Sequence, residues 1–322
     1  MLLDGDLEGF LEGSGNGHLD LPRAQVYGTV GGFYACWVAN PDDEPEASEP
    51  EPLDPDLARA DTATMIEQLF ALEAMSDGEL SVVRTVDDLR DNLEAGIHSA
   101  ILHFEGAEAI SEDLSDLEDY YALGLRSLGP VWSRSNAFGQ GVPFVFPSTP
   151  DIGPGLTAAG FELVRACNSL GIMLDLSHLN EAGFWDVARL SRHPLVATHS
   201  NPWSLCPSPR NLTDDQLRAI ADSGGLVGVN FYVGNLREDG EEEDTPLDTV
   251  LDHFDYLAET IGVEHIAIGT DFDGATVPLD LDGVEFLPDL LDGLSERGWG
   301  DDDIEAIGYG NWLRVLDATW QE

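Results

Sequence analysis

Lysine is absent from this chain of 322 residues: all 14 basic residues are arginine, set against 62 Asp and Glu, for a formal net charge of -48. A surface this acidic repels phosphate backbones and anionic headgroups, so neither nucleic acid nor a membrane surface is an expected partner. Cysteine is scarce too. Cys36, Cys167 and Cys206 are too few and too scattered for a disulfide framework or a zinc knuckle, and read as small buried hydrophobes. No apolar run approaches the roughly 18 residues of a membrane span, and no basic, apolar and small-residue leader opens the chain, so a cytoplasmic location is expected. No G-x-G-x-x-G follows any apolar run, which argues against an open dinucleotide-binding sheet.

What is present points to a folded body. Hydrophobic residues make up 43% of the chain and are spread along it, unlike an acidic disordered tail. The simplest environment for such a protein is concentrated salt, where charges are screened within roughly 3 Å at 1 M. Short apolar runs bounded by turn residues predict strands at Met1 to Leu3, Thr29 to Val38, Ser99 to Phe104, Ser127 to Trp132, Gly171 to Leu176, Pro194 to Thr198, Gly225 to Phe231 and His265 to Ile268. Helical periodicity fills the intervals at Asp61 to Met75, Leu156 to Leu170, Glu181 to Leu190, Asp214 to Ala221 and Leu247 to Ile261, and Thr213 with Gln216 has capping-box spacing. Eight strands alternating with helices predict an α/β fold, a (β/α)8 TIM-type barrel in a single domain over residues 1–322. The acidic stretches Asn40 to Leu57 and Arg237 to Pro246 read as solvated loops rather than linkers, because the alternation resumes beyond each.

In such a barrel, side chains at the C-terminal strand ends meet at one mouth. Here those ends carry Glu105 in "ILHFEG", His178 in "GIMLDLSH", His199 in "PLVATHS", and Asp271 in "HIAIGTDFDG" with Asp273 beyond it. Carboxylates and imidazoles from four strands are the donors that a metal-assisted hydrolase needs, with one position left for water. The histidines His98, His103, His193, His253 and His265 precede or interrupt strands and read as structural.

The stretches "LHFEGAEAI", "GIMLDLSHLNEAGFWDVARLSRHPLVATHSNPWSLCPSPRNLTDDQLRAIADSGGLVGVNFY" and "IAIGTDFDG" resemble the membrane (renal-type) dipeptidase family of metallopeptidases, within the amidohydrolase superfamily. The likeness runs from "LLDG" to "GNWLRVLDA". It implies hydrolysis of dipeptides, tolerance for a D-residue on the C-terminal side, and divalent metal, zinc first. It further implies that Glu105 bridges two ions, that His178 and His199 hold the second, and that Arg210 in "CPSPRN" grips the substrate carboxylate. Asp271 would shuttle a proton, Tyr232 and Trp132 would line the substrate pocket, and a small peptide substrate and a homodimer are the partners to expect. Trp132, in "GPVWSRSN", stands where other members place His.

One departure is conspicuous. The family opens with D-G-H-x-D, whose His and Asp hold the first ion, whereas this chain reads Asp4-Gly5-Asp6-Leu7-Glu8. The later Gly17-His18-Leu19-Asp20-Leu21-Pro22 has the right letters but follows "EGSGNG", a flexible loop composition, and matches a separate family segment ahead of the second strand. On this reading His18 and Asp20 are structural. Asp6 and Glu8, alternating along an extended segment, would make an all-oxygen first position that is weak or prefers Mn²⁺ or Mg²⁺, giving one or two ions in all. Two alternatives remain at this point: a related amide hydrolase acting on N-acyl amino acids, and a catalytically impaired ligand-binding barrel.

Overall fold

A computed structural model of the chain describes residues 5–39, 52–240, 242 and 244–320. Its described strands are β1 Gly31–Cys36, β2 Leu80–Val82, β3 His98–Glu105, β4 Ser127–Gly129, β5 Met173–Leu174, β6 Val196–Ser200, β7 Leu226–Val229 and β8 Ile266–Ile268. All pair in parallel, β1-β3-β4-β5 in one arc and β6-β7-β8 in another, joined by a bridge between Asp175 and Val196. Met1 to Leu3, expected as the opening strand, lies outside the described residues. β2 is an addition: it pairs with the first residues of β3, and its three residues carry too little pattern to be read from sequence.

The helices are α1 Leu7–Glu12, α2 Leu21–Tyr27, α3 Pro55–Met75, α4 Val86–Ala95, α5 Leu117–Leu123, α6 Ala158–Leu170, α7 Glu181–Leu190, α8 Asp214–Asp222, α9 Leu247–Ile261, α10 Leu287–Glu296, α11 Asp301–Glu305 and α12 Asn311–Thr319. Side-chain caps explain several starts. Thr213 and Gln216 form the expected capping box on α8, and Asn180 caps α7 by accepting from Gly183 N. Helix α3 begins at Pro55 rather than Asp61, because Asp54 caps it and Pro55 takes the first helical position, where a missing N–H does no harm. The acidic loop expected up to Leu57 is shortened accordingly.

The side-chain alternation of each strand positions the site. Along β3, Ile101 joins an apolar layer at the base of the barrel, His103 bonds Ser127 Oγ halfway up, and Glu105 ends at the mouth. The same two-residue step runs Leu226, Gly228, Asn230 from β7 and Ala267, Gly269, Asp271 from β8. Val196, Met173 and Ile101 share that basal layer with Val315, Leu316 and Trp320 from the C-terminal helix region, and Trp312 packs edge-on against Phe33 at 4.9 Å. The base is thus filled with apolar side chains, leaving the polar residues of the interior to gather at the other end.

Candidate active site and metal centre

Strand β6 breaks the alternation where it matters. Its register against β7 shifts between Ala197 and Ser200, a bulge that turns the consecutive residues Thr198 and His199 both toward the interior. The Thr198 carbonyl consequently sits so close to Gly228 and Gly269 that a Cβ on either would lie 1.9 Å and 2.2 Å from it. Only glycine admits that approach.

His199 thereby reaches His178 and Glu105. Nε2 of His178 lies 2.9 Å from Glu105 Oε1 and 3.1 Å from His199 Nε2, and His199 Nε2 lies 3.4 Å from the same oxygen. Among the described residues these three form the group of donors able to hold a metal ion. Their tautomers are set from behind. Thr198 Oγ1 donates its proton to Asp175 Oδ2 at 2.6 Å, so it accepts at 2.8 Å from His199 Nδ1–H. Asp175 is buried and also receives Thr198 N and Ser177 Oγ on its other oxygen. His178 Nδ1 lies 2.8 Å from Ser133 Oγ, where its proton has an acceptor. With both imidazoles neutral, the two Nε2 lone pairs and a carboxylate oxygen therefore converge on one point. Such a set repels itself unless a cation lies among its members, and two imidazoles with one carboxylate suit a divalent ion such as zinc.

Without an ion, the same groups compete for protons. Burial, with Arg210 nearby, pulls the His178 imidazole down to about 3, so it is a neutral ligand at ordinary pH. Burial would raise the Glu105 carboxyl, but hydrogen bonds with His178 and His199 hold it well below the usual range. Burial opposes charge on His199, yet Asp271 and Glu105 outweigh it and move its pKa up. Asp271 is raised, by burial first and by the Glu105 charge besides.

Arg210 is 3% exposed, and its Nη2 donates to the His199 carbonyl at 3.3 Å while Nη1 is buried with no partner. Asn211 anchors the loop that delivers it, donating to Cys206 O and Asn235 O at 2.9 Å. Asp271 sits in left-handed backbone, φ 59, and its Oδ2 accepts from Asn230 Nδ2 at 3.3 Å. Asn230 escapes sequence reasoning. The signal that could have found it is its place two residues past Gly228 on the inward face of β7. Tyr232 is half-buried, and its hydroxyl is raised by burial and by the Glu242 and Asp271 charges.

Trp132 forms the opposite wall. Its ring lies 5.7 Å from His178, 5.2 Å from Trp37 and 5.4 Å from Phe144, and the Arg134 guanidinium sits 5.0 Å from its centroid. Phe144, Val145 and Phe146 continue this surface outward, an exposed apolar run on a very acidic protein. Trp37, Phe144 and Arg134 were not singled out in the sequence, since each looks like core or loop taken alone.

Asp6 and Glu8 are not brought to the cluster. The extended segment expected there is instead helix α1: Asp6 caps it, accepting from Gly9 N at 2.9 Å, and Glu8 lies exposed in its first turn. A carboxylate just ahead of a helix is stabilised by the free N–H groups, which is the physical reason for the difference. His18 reaches Asp273 and Asp282, and Asp20 caps α2 while binding Arg23 Nε at 2.7 Å. The other histidines bond the main chain or neighbouring hydroxyls: His98 to Thr29 O, His103 to Ser127, His193 to Asn168 O, His253 to Leu236 O and His265 to Gly225 O.

Comparison with known proteins is consistent across sequence and structure. Residues 6–321 match the family model of membrane dipeptidase, peptidase family M19. An uncharacterized dipeptidase of Schizosaccharomyces pombe is 31% identical, with 94% of this chain and 72% of that protein aligned. A protein of Klebsiella pneumoniae encoded in the pqqA 5' region is 47% identical over 79% of this chain and 94% of its own length. A crystal structure of a Rhodobacter sphaeroides metallopeptidase, liganded with a phosphinate mimic of the dipeptide L-Ala-D-Ala, superposes with a TM-score of 0.95 at 44% identity, covering 99% of this chain and 96% of that one. The chain belongs to the membrane dipeptidase family of metallopeptidases, (β/α)8-barrel hydrolases that cleave peptide bonds with a divalent metal.

Proposed function

We propose that this chain hydrolyses dipeptides bearing a free C-terminal carboxylate, using one firmly held ion, zinc first, on Glu105, His178 and His199. The observation that carries the substrate assignment is Arg210: a guanidinium buried beside the donor cluster with Nη1 unpartnered. A buried charge of this kind is stabilised when a carboxylate arrives, and its planar fork suits that group. An ion held by Glu105, His178 and His199 would supply an acidified water and a Lewis acid for the peptide carbonyl. Asp271 takes the water's proton and returns it to the departing amine, a task for which a raised carboxyl pKa is suited. Asn230 holds Asp271 in place, and Arg210 fixes the substrate end so that only very short peptides span the site. Trp132 and Tyr232 flank the substrate, and the L-Ala-D-Ala mimic bound by the Rhodobacter sphaeroides relative supports tolerance for a D-residue at the C-terminal side. Asp6 and Glu8 hold at most a weak Mn²⁺- or Mg²⁺-preferring position, away from the Glu105, His178 and His199 cluster.

Steady-state turnover of a dipeptide, its C-terminal amide and the matching N-acetyl amino acid tests this reading. The dipeptide should be preferred over the amide by roughly 100-fold or more in kcat/KM, as expected when a buried charge loses its partner. Preferred cleavage of the N-acetyl compound would replace the reading with an acyl amino acid hydrolase.

A further inference from the structure

The segment with the letters of a metal-binding pair has other work. His18 N–H donates to Asp273 Oδ1 at 2.7 Å, and Asp273 N–H donates back to His18 Nδ1 at 2.8 Å. These are reciprocal bonds between residues far apart in sequence, resembling a capping box closed between two loops. His18 Nε2 faces Asp282 Oδ1 at 3.2 Å, its carbonyl accepts from Val284 N at 2.9 Å, and its ring packs on Phe272 at 5.2 Å. Arg23 reinforces the same seam, bonding Gly17 O at 2.8 Å, Asp20 Oδ2 at 2.7 Å and Glu285 Oε2 at 2.9 Å.

What this seam grips is the loop that carries Asp271. Asp271 and Asp273 both lie in left-handed backbone, φ 59 and φ 62, a conformation that residues other than glycine hold when their surroundings impose it. Within the loop itself, Gly274 N bonds Asp271 O and Phe272 N bonds Thr270 Oγ1, which shapes a turn but does not anchor it to the barrel. Phe272 packs on Phe231 at 6.0 Å and Val233 N bonds Thr276 O, while Asp271 is held from one side by Asn230 and Asp273 is clasped on the other by His18.

We propose that His18 is a positioning residue for Asp271: by clasping Asp273 it holds the Asp271 carboxylate toward the metal-ligand cluster. His18 touches neither substrate nor metal, and the inference rests on the dipeptidase reading only for the role given to Asp271.

Two variants of the full-length, metal-loaded protein test it. His18→Ala removes the acceptor for Asp273 N, whereas His18→Asn keeps an oxygen on Cγ where Nδ1 now accepts. The alanine variant should show faster amide hydrogen exchange confined to residues 270–274 and a kcat lowered roughly 10- to 100-fold, the scale expected for a displaced catalytic group. KM should stay within about twofold, since Arg210 is untouched, and the asparagine variant should recover most of both effects. If the alanine variant does not fold, Asp273→Ala, which removes one half of the clasp, must show the same exchange signature and kcat loss. Unchanged exchange at 270–274, unchanged kcat, or an asparagine variant as impaired as alanine overturns the proposal. Were the wild type to cleave no dipeptide, the functional reading would fail while the exchange measurements would still decide whether His18 holds the loop.

Discussion

Replacing Thr198 with Val tests how the metal site is assembled. The change keeps the side-chain shape and deletes one hydroxyl that accepts from His199 Nδ1 at 2.8 Å and donates to Asp175 Oδ2 at 2.6 Å. After the change Asp175 keeps the main-chain N–H of residue 198 and Ser177 Oγ on Oδ1, but Oδ2 retains only His103 Nε2 at 3.7 Å, inside a site where Asp175 is 3% exposed. A buried carboxylate oxygen without a donor costs about 1–3 kcal/mol of folding stability. His199 loses its fixed tautomer, so part of the population carries the proton on Nε2 and cannot bind an ion. Loss of such a supporting partner typically lowers metal affinity 10- to 100-fold, or about 1.4–2.7 kcal/mol. Chelator competition gives the affinity and thermal unfolding of the apo protein gives the stability; Thr198→Ser, which restores the hydroxyl, should return both most of the way. A valine variant that binds metal within twofold of wild type would refute the Asp175–Thr198–His199 relay.

Arg210→Met should separate activity from stability: kcat/KM on dipeptides falls by roughly 100- to 1000-fold, mainly through KM, while the melting temperature holds or rises because a buried guanidinium atom without a partner is gone. A lowered melting temperature with intact KM would contradict the assigned role. His98 donates to Thr29 O and accepts from Tyr34 O–H, and burial pulls its imidazole down to about 4. The unfolded chain, protonating near 6.5, therefore binds the extra proton first, so His98 lowers stability progressively as pH falls from about 6.5 to about 4, by up to about 3 kcal/mol. His98→Gln should flatten that decline in denaturant titrations, and an unchanged slope would count against it. The net charge of -48 predicts a melting temperature that climbs from about 0.1 M to about 1 M salt as the screening length falls from about 10 Å to about 3 Å, and a flat salt series would remove the case for a saline environment.

Glu105, His178, His199 and the neighbouring Asp271 are legible because strand ends are short, apolar and punctuated, so a polar residue there is conspicuous. Helices α7 and α9 were legible to the residue, since their amphipathic periods are long. Thr198 and Asp175 are not, because a hydroxyl or carboxylate inside an apolar strand gains its role only from a bulge and from packing between strands distant in sequence, and Ser133, in the loop after β4, meets His178 only through the fold. Trp37 and Phe144 meet Trp132 only through the fold. The helix start at Asp6 is not legible for a local reason: an Asp two residues before a Glu fits an extended segment and a capped helix start equally well, and the capping bond to Gly9 N decides for the helix.

We propose that one ion, held by Glu105, His178 and His199, supports dipeptide cleavage in a chain whose Asp6 and Glu8 do not hold a second ion firmly. Metal content per chain after extensive dialysis, measured with dipeptide turnover on the same sample, tests this most directly. One retained ion is expected, with turnover that disappears together with that ion in His199→Ala. Two firmly retained zinc ions per chain, or turnover surviving removal of all metal, would contradict it.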